Sequence, residues 1–133
     1  MKRTLSYPLL LLLIVICPHG WAEQNNLDSY TKSYKPCMDK AVSTQDMIEC
    51  ADKEYLEQDK RLNAAYKALL SRQTPNRASQ LLDLQRLWIK YRDANCKFYY
   101  DPDGGSIARI LANDCMLTTT KDRANELQSM MMP

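Results

Sequence analysis

Histidine is almost absent from this sequence. The single histidine, His19, lies within the first 22 residues, a stretch that has the features of a removable leader. The remaining chain therefore has no imidazole to activate a serine or cysteine nucleophile or to bind a metal ion. This excludes most of the usual designs of hydrolases and metalloenzymes.

Neither sign of charge is in excess. The chain has 18 basic and 16 acidic residues, and Lys2 and Arg3 are the only charged residues among the first 22, so the rest carries 16 of each. A general binder of nucleic acid or anionic membranes would have a basic excess gathered on one face. We therefore expect no nucleic-acid partner.

Long apolar runs are confined to the N-terminus. Lys2 and Arg3 precede an apolar run at Leu9–Cys17, and Gly20–Ala22 then offers the small residues that a signal peptidase reads. We predict a signal peptide at residues 1–22, with cleavage after Ala22.

Anchoring in the membrane is not expected after cleavage. The apolar run is shorter than the roughly 20 residues that a membrane span needs, and Cys17 follows Ile16, whereas a lipid-accepting cysteine needs a small residue before it. The mature protein is predicted to be periplasmic or secreted, and residues 23–36, which are polar, to form a flexible N-terminal segment.

Closely spaced cysteine pairs are also missing. Four cysteines follow Cys17, namely Cys37, Cys50, Cys96 and Cys115. A four-cysteine zinc site needs CxxC-type pairs, so we predict no metal.

An even number of cysteines in an exported chain indicates two disulfides. Three pairings are possible, and proximity favours Cys37 with Cys50 and Cys96 with Cys115, each stabilising the fold by roughly 3 kcal/mol.

Three stretches without glycine or proline carry apolar residues at helical spacing. The first is Gln45–Arg72, with the Thr44 hydroxyl as its expected N-cap. The second opens within residues 76–79 and runs to about Phe98. Because the connection between them is short, we expect these two helices to pack antiparallel.

The third helix is predicted to begin at Ser106, as its N-cap, and to approach the C-terminus. Thr118–Thr120 are weak helix formers. Because Cys115 lies farther from the preceding loop than Cys96 does, their pairing predicts an irregular start to this helix. The fold class is thus all-α: a small bundle of three main helices with two disulfides, occupying residues 37–131.

The second helix has a predicted core-facing stripe, centred on Trp88, the only tryptophan outside the leader. A ring of this size on the inner face of a helix is normally the centre of a small core. The stripe consists of Leu81, Leu84, Trp88, Tyr91 and Asn95.

Several spaced motifs occur in one order along the chain. They are formed by Cys37, Cys50, Asp59, Leu62, Asn63, Tyr66, Gln85, Arg86, Trp88, Arg92, Asp93, Cys96, Gly104, Gly105, Ser106, Cys115, Thr120, Arg123, Glu126 and Leu127. This pattern resembles the lysozyme inhibitor LprI-like N-terminal domain family. The resemblance implies a secreted or periplasmic helical domain, in a family in which some members are associated with inhibition of lysozyme.

Polar residues near the apolar stripes form a predicted structural network. Asp59, Arg92 and Arg123 come from three different helices and would meet as an interhelical ionic group. Asn63, Tyr66, Gln85 and Trp88 complete the set. The favoured interpretation is a clamp that fixes helix register, and the alternative is a binding pocket.

A carboxylate pair for glycoside cleavage is a weaker interpretation. Asp59 with Asp93 or Glu54 would supply two carboxylates, but nothing in their spacing separates them from solvated helix charge. We therefore predict no catalytic residues, no cofactor and no enzymatic activity.

The densest turn signal is Asp101–Ser106, which holds two of the three glycines. Its simplest interpretation is a tight turn with a helix cap. The functional interpretation is a recognition tip that enters the cleft of a protein partner, with Arg109 offered to acidic groups there. The predicted partner-binding residues are Tyr100, Asp103, Gly104, Gly105, Ser106 and Arg109.

Two functions of different classes follow from these observations. The first is a binding protein that occludes a lysozyme or other muramidase, from a host or from a competitor, in which case it would be an immunity protein. The second is a periplasmic structural or envelope-stress domain without lysozyme inhibition. The sequence leaves the target and the oligomeric state undetermined.

Overall fold

The structure is a computed structural model that describes residues 30–132. Its regular elements are four helices: α1 (Tyr34–Lys40), α2 (Thr44–Leu70), α3 (Pro75–Tyr99) and α4 (Gly105–Ser129). The described part of the chain is all-helical, which confirms the predicted class. The count of three main helices omits α1, which has only 7 residues.

The start of α2 is fixed by a capping box. The Ser43 hydroxyl accepts a hydrogen bond from the Asp46 N–H at 3.1 Å, and the Asp46 carboxylate accepts one from the Ser43 N–H at 2.9 Å. Two backbone donors that the helix leaves unpaired are satisfied in this way. The N-cap is therefore Ser43 and not Thr44, which is the first residue of the helix.

Helix α4 lies between the other two long helices. Asn113 donates to the Asp52 carboxylate at 2.9 Å, and Arg61 donates to the Lys121 carbonyl at 3.1 Å, so α2 and α4 run parallel. Helix α3 packs against α4 and has little close contact with α2. The expected packing of α2 with α3 is thus replaced by packing of both on α4, because their short connection reverses the chain without closing the two helices together.

The core lies where the three long helices converge, at the end of the molecule that contains the α2–α3 connection. Tyr66, Leu70, Trp88 and Met131 are partly buried against it. Its buried members are Leu62, Ala65, Leu69, Leu81, Ala124 and Leu127.

The inner face of α3 differs from the predicted stripe. Leu81, Gln85 and Cys96 are its buried residues, whereas Leu84 and Tyr91 are 44% and 62% exposed. The helix carries apolar residues on more than one face, and contact with α4 alone covers only one of them.

The start of α4 also differs from expectation. Its N-cap is Gly104, without a side-chain cap, so Ser106 lies inside the helix. The helix is continuous from Gly105 through Thr120, a residue that is fully buried. Burial against the neighbouring helices outweighs the weak intrinsic helix propensity of the threonines.

Both disulfides have the predicted pairing. The Cα atoms of Cys37 and Cys50 are 5.8 Å apart, and those of Cys96 and Cys115 are 5.4 Å apart. The first bond fastens α1 to α2, and the second fastens α3 to α4.

The predicted signal peptide, residues 1–22, lies outside the described residues, as do residues 23–29. The rest of the predicted flexible segment contacts the helices. The Thr31 N–H donates to the Glu54 carboxylate at 2.9 Å, and α1 begins at Tyr34. The domain boundaries stay predictions.

Candidate functional site

The α3–α4 connection is a tight turn that requires both of its glycines. The Asp101 side chain accepts from the Asp103 N–H at 2.9 Å, and the Asp101 carbonyl accepts from the Gly104 N–H at 3.1 Å. A Cβ atom on Gly104 would come within 2.8 Å of the Ala108 Cβ, and Gly105 has φ of +63°. These glycines therefore serve the turn itself, whatever else the loop does.

The Cys96–Cys115 disulfide staggers the two helices that it joins. Cys96 lies near the end of α3, whereas Cys115 lies almost three turns into α4. At a rise of 1.5 Å per residue, the first turns of α4 extend about 10 Å beyond the end of α3. The first residue of α4 is irregular, since Gly105 has φ of +63°, but it is the stagger that allows the bond to form.

The first turns of α4 stand beside the start of α2. The Arg109 guanidinium donates to the Gln45 side-chain carbonyl at 3.5 Å. The α1–α2 connection is therefore at the same end of the molecule as the α3–α4 turn, and its Val42 is 93% exposed. We call this region the loop end, defined as residues 41–45 and 100–109.

The predicted partner-binding residues all belong to the loop end, and most of them are solvent-exposed. Tyr100 is 53% exposed, and it is joined there by Ile107 at 58%. Asp103, Gly105, Ser106 and Arg109 are exposed, and Gly104 is half-buried. Val42 was not singled out from the sequence, because an apolar residue in a short connection gives no signal by spacing, and Ile107 was interpreted only as an apolar position of the third helix.

The loop end mixes apolar groups with both signs of charge. Asp101 and Asp103 lie in the turn, and Arg109 lies one turn farther along α4. In α2, the side-chain hydrogen bond with Ser43 is the main cause of a lowered pKa of Asp46. Mixed charge around exposed apolar groups is the composition of a protein-binding surface more than of a small-molecule pocket.

The structure brings together four of the seven residues of the predicted polar network. Arg123 donates to the Gln85 side-chain carbonyl at 3.0 Å, and Arg92 donates to Thr120 at 3.4 Å. The guanidinium carbons of Arg92 and Arg123 lie 5.0 and 5.7 Å from the Trp88 ring centre. These contacts join α3 to α4 and support the interpretation as a structural clamp.

The other three residues lie apart from this clamp. The Asn63 side chain donates to the Asp59 carboxylate at 2.9 Å, one turn away in α2, and Tyr66 packs on the core. The expected ionic group of Asp59 with the two arginines is not formed. Asp59 finds its partner within its own helix, because α2 and α3 are not packed side by side.

A second polar cluster, on α2 against the segment before α1, was not predicted from the sequence. Glu54 and Gln58 are each 2% exposed and are joined by a hydrogen bond of 2.6 Å. The Thr31 hydroxyl also donates to Glu54. Burial lowers the pKa of Arg61, which the charge of Glu54 partly offsets. Polar residues at spacings of three and four normally indicate a solvated helix face, so spacing alone gave no signal of this burial.

The carboxylates considered for glycoside cleavage all have partners. Glu54 is held by Thr31, Asp59 by Asn63, and Asp93 by Arg92 at 2.8 Å. Among residues 30–132 no group of three or more histidine, cysteine, aspartate or glutamate side chains is placed to hold a metal ion. Within the same range no helix has the length and apolar character needed to cross a membrane.

Comparison with known proteins adds a family to this geometry. Residues 37–127 match the model of the family described as lysozyme inhibitor LprI, which spans α2, α3, both disulfides and nearly all of α4. The chain belongs to this family. This confirms the resemblance seen in the cysteine, tryptophan and glycine motifs.

A relative of this LprI-family chain is an uncharacterised protein of Rhizobium meliloti (strain 1021). The two are 30% identical over 111 residues, which cover 73% of this chain and 80% of the relative. No solved structure matches the chain.

Proposed function

We propose that this chain is an exported, non-enzymatic protein that binds a lysozyme or another muramidase and blocks its substrate cleft with the loop end. Membership of the lysozyme inhibitor LprI family, over residues 37–127, is the observation that carries the proposal. The two disulfides support an extracytoplasmic site of action, since such bonds persist in oxidising compartments. The signal peptide at residues 1–22 and the periplasmic or secreted location belong to the same proposal.

The loop end is suited to inhibition because it is rigid before it binds. The Cys96–Cys115 bond fastens the base of the α3–α4 turn, and Asp101 accepts two backbone hydrogen bonds inside it. A braced loop loses little conformational entropy on association, so a small interface yields useful affinity. The protruding first turns of α4 give the loop the shape needed to enter a cleft.

The side chains of the loop end suit the chemistry of that cleft. Lysozyme catalysis uses two carboxyl groups, and Arg109 presents a guanidinium at the same end of the molecule as the exposed Tyr100 and Ile107. Gln45 accepts one of its N–H groups at 3.5 Å, which orients the guanidinium while keeping it at the surface. Arginine and tyrosine are among the residues that most often dominate the energy of an interface.

The test measures cell-wall lysis by a panel of lysozymes, with and without the purified mature protein. Arg109→Glu and Ser106→Trp should each weaken inhibition at least about tenfold, or 1.4 kcal/mol, while leaving the melting temperature nearly unchanged. Arg86→Glu is the matched control, because Arg86 is an exposed arginine whose ion-pair partner is Asp83 on its own helix at 3.6 Å. It should inhibit as well as the wild type.

Two results would count against this assignment. Loop-end variants that inhibit as strongly as the wild type would place the recognition surface elsewhere. An inactive wild type against every lysozyme and muramidase in the panel would favour the alternative, a periplasmic structural or envelope-stress domain.

A further inference from the structure

Helix α3 presents an apolar face that nothing in residues 30–132 covers. We call this the free face of α3, formed by Leu84, Leu87, Tyr91 and Phe98, which are 44%, 64%, 62% and 86% exposed. Their spacing of three, four and seven residues places them in one row with the 3.5-residue period of a helix–helix seam. A contiguous apolar row of this kind is unusual on a soluble monomer and marks an interaction surface.

The free face carries a knob at one end and a hole at the other. The knob is Phe98, the most exposed aromatic residue among residues 30–132. The hole is a cavity of about 350 Å³ beside Leu84, at the α2–α3 connection. It is lined by Leu69, Gln73, Arg77, Gln80, Leu81, Leu84 and Met130.

The distance between Phe98 and the cavity beside Leu84 favours a second copy of this chain as the partner. Leu84 and Phe98 are fourteen residues apart on one helix, about 21 Å along its axis. If two copies of α3 lie antiparallel and cross near Tyr91, Phe98 of each copy meets the cavity beside Leu84 of the other. A two-fold axis makes both insertions at once, because the same surface serves on both sides.

We propose that the free face of α3 binds a second copy of this chain, in an antiparallel homodimer with Phe98 of each copy in the cavity of the other. Charge supports the antiparallel direction. Asp83 and Lys97 lie next to the two ends of the row, so this pairing brings the acid of one copy near the lysine of the other, twice.

The area available is at the lower end of what a specific dimer needs. A large side chain buries about 150 to 250 Å², and scaling this by the exposed fractions of the four residues gives roughly 500 Å² per copy. Both copies together bury about 1,000 Å², close to the threshold for a specific interface. The dimer should therefore be reversible and depend on concentration.

Sedimentation equilibrium of the mature protein over a concentration series tests the proposal. The wild type should shift from one to two chain masses as its concentration rises. Leu87→Glu and Phe98→Ala should each move the midpoint of that shift at least tenfold higher. Leu56→Glu is the matched control for Leu87→Glu, because Leu56 is a leucine of α2 that is 58% exposed outside the free face. It should leave the midpoint unchanged.

Charge reversal tests the direction of pairing. Asp83→Lys should weaken the dimer, and adding Lys97→Asp to it should restore the wild-type midpoint.

Cross-linking tests the crossing point of the two helices. Tyr91→Cys should form an interchain disulfide on mild oxidation. Val42→Cys, at a residue that is 93% exposed at the loop end, should not.

A wild type that stays monomeric at millimolar concentration would overturn the proposal, as would equal effects of Leu87→Glu and Leu56→Glu. A monomeric wild type whose inhibition of lysozyme is lost in Leu87→Glu would assign the free face to the target enzyme instead. Because no muramidase is present during sedimentation, the result stands apart from that of the lysis assay.

Discussion

The packed pair of α2 and α4, together with the segment before α1, buries charged groups, whereas α3 leaves apolar groups exposed. Glu54 on α2 is 2% exposed and Lys121 on α4 is 7% exposed, and they contact Thr31 and Tyr30 of the segment before α1. On α3, Leu87 and Tyr91 are 64% and 62% exposed. The pair of α2 and α4 is therefore covered by other parts of the same chain, at the cost of desolvating ionic groups. Helix α3, in contrast, is only half covered.

The contrast shows how α3 is held. At one end Leu81 enters the shared core, and at the other Cys96 is bonded to Cys115. Between these points Trp88 lies against Arg92 and Arg123. Because α3 is fastened at its ends and along one edge, its opposite edge stays exposed. The free face of α3 needs this exposure if it is to bind a partner.

The largest expected effect comes from comparing two leucines. Leu127→Ala should lower the free energy of unfolding by about 3 to 4 kcal/mol, since the residue is fully buried where the three helices meet. Leu87→Ala should change it by less than about 0.5 kcal/mol. Urea denaturation, at a protein concentration low enough to avoid self-association, measures both. Similar losses would mean that the outer edge of α3 is part of the core.

A slightly smaller effect should follow from removing the bond that fastens α3. Cys96→Ser with Cys115→Ser opens a loop with a sequence separation of 19, which should cost about 3 kcal/mol. Hydrogen exchange should accelerate most in the last turns of α3 and in the following turn, with α2 little affected. Cys37→Ser with Cys50→Ser is the control, since it should loosen α1 and leave α3 unchanged. Uniform acceleration in the first variant would contradict the view that α3 is held mainly at its ends.

Much of the fold could be predicted because the signals were local. The long helices are separated at Pro75 and at the Gly104–Gly105 pair, which are residues that interrupt helices. Pairing the four cysteines with their nearest neighbours in the sequence predicted both disulfides. The family resemblance rested on spaced motifs and was confirmed over residues 37–127.

The remaining features depend on which helices touch, which spacing does not determine. Leu84 and Leu81 are equally good core residues by spacing, but only Leu81 is buried. Asp59 was expected to meet arginines from α3 and α4, yet it bonds Asn63 because α3 lies against α4 and away from α2. Glu54 illustrates the reverse case, since a glutamate on a polar-looking helix face is buried and held by Thr31 from the segment before α1.

The smallest expected effect concerns the capping box at the exposed start of α2. The side-chain hydrogen bond with Ser43 is the main cause of the lowered pKa of Asp46. A pKa below its ordinary value of about 3.9 means that the ionised carboxylate stabilises the fold above that pH, and that this contribution is lost as pH falls through the folded-state value. Asp46→Asn should therefore lower the melting temperature more at pH 7 than at about pH 2, because the carboxylate is progressively protonated as the pH falls.

Ser43→Ala should cost about 1 kcal/mol at pH 7, as for other N-cap residues. Because Ser43 and Asp46 satisfy each other's backbone N–H groups, the double variant should lose less stability than the two single losses added together. Thermal unfolding of the four proteins at both pH values measures this coupling. Strict additivity at pH 7 would show that the two side chains act independently, and that the capping box does not function as a unit.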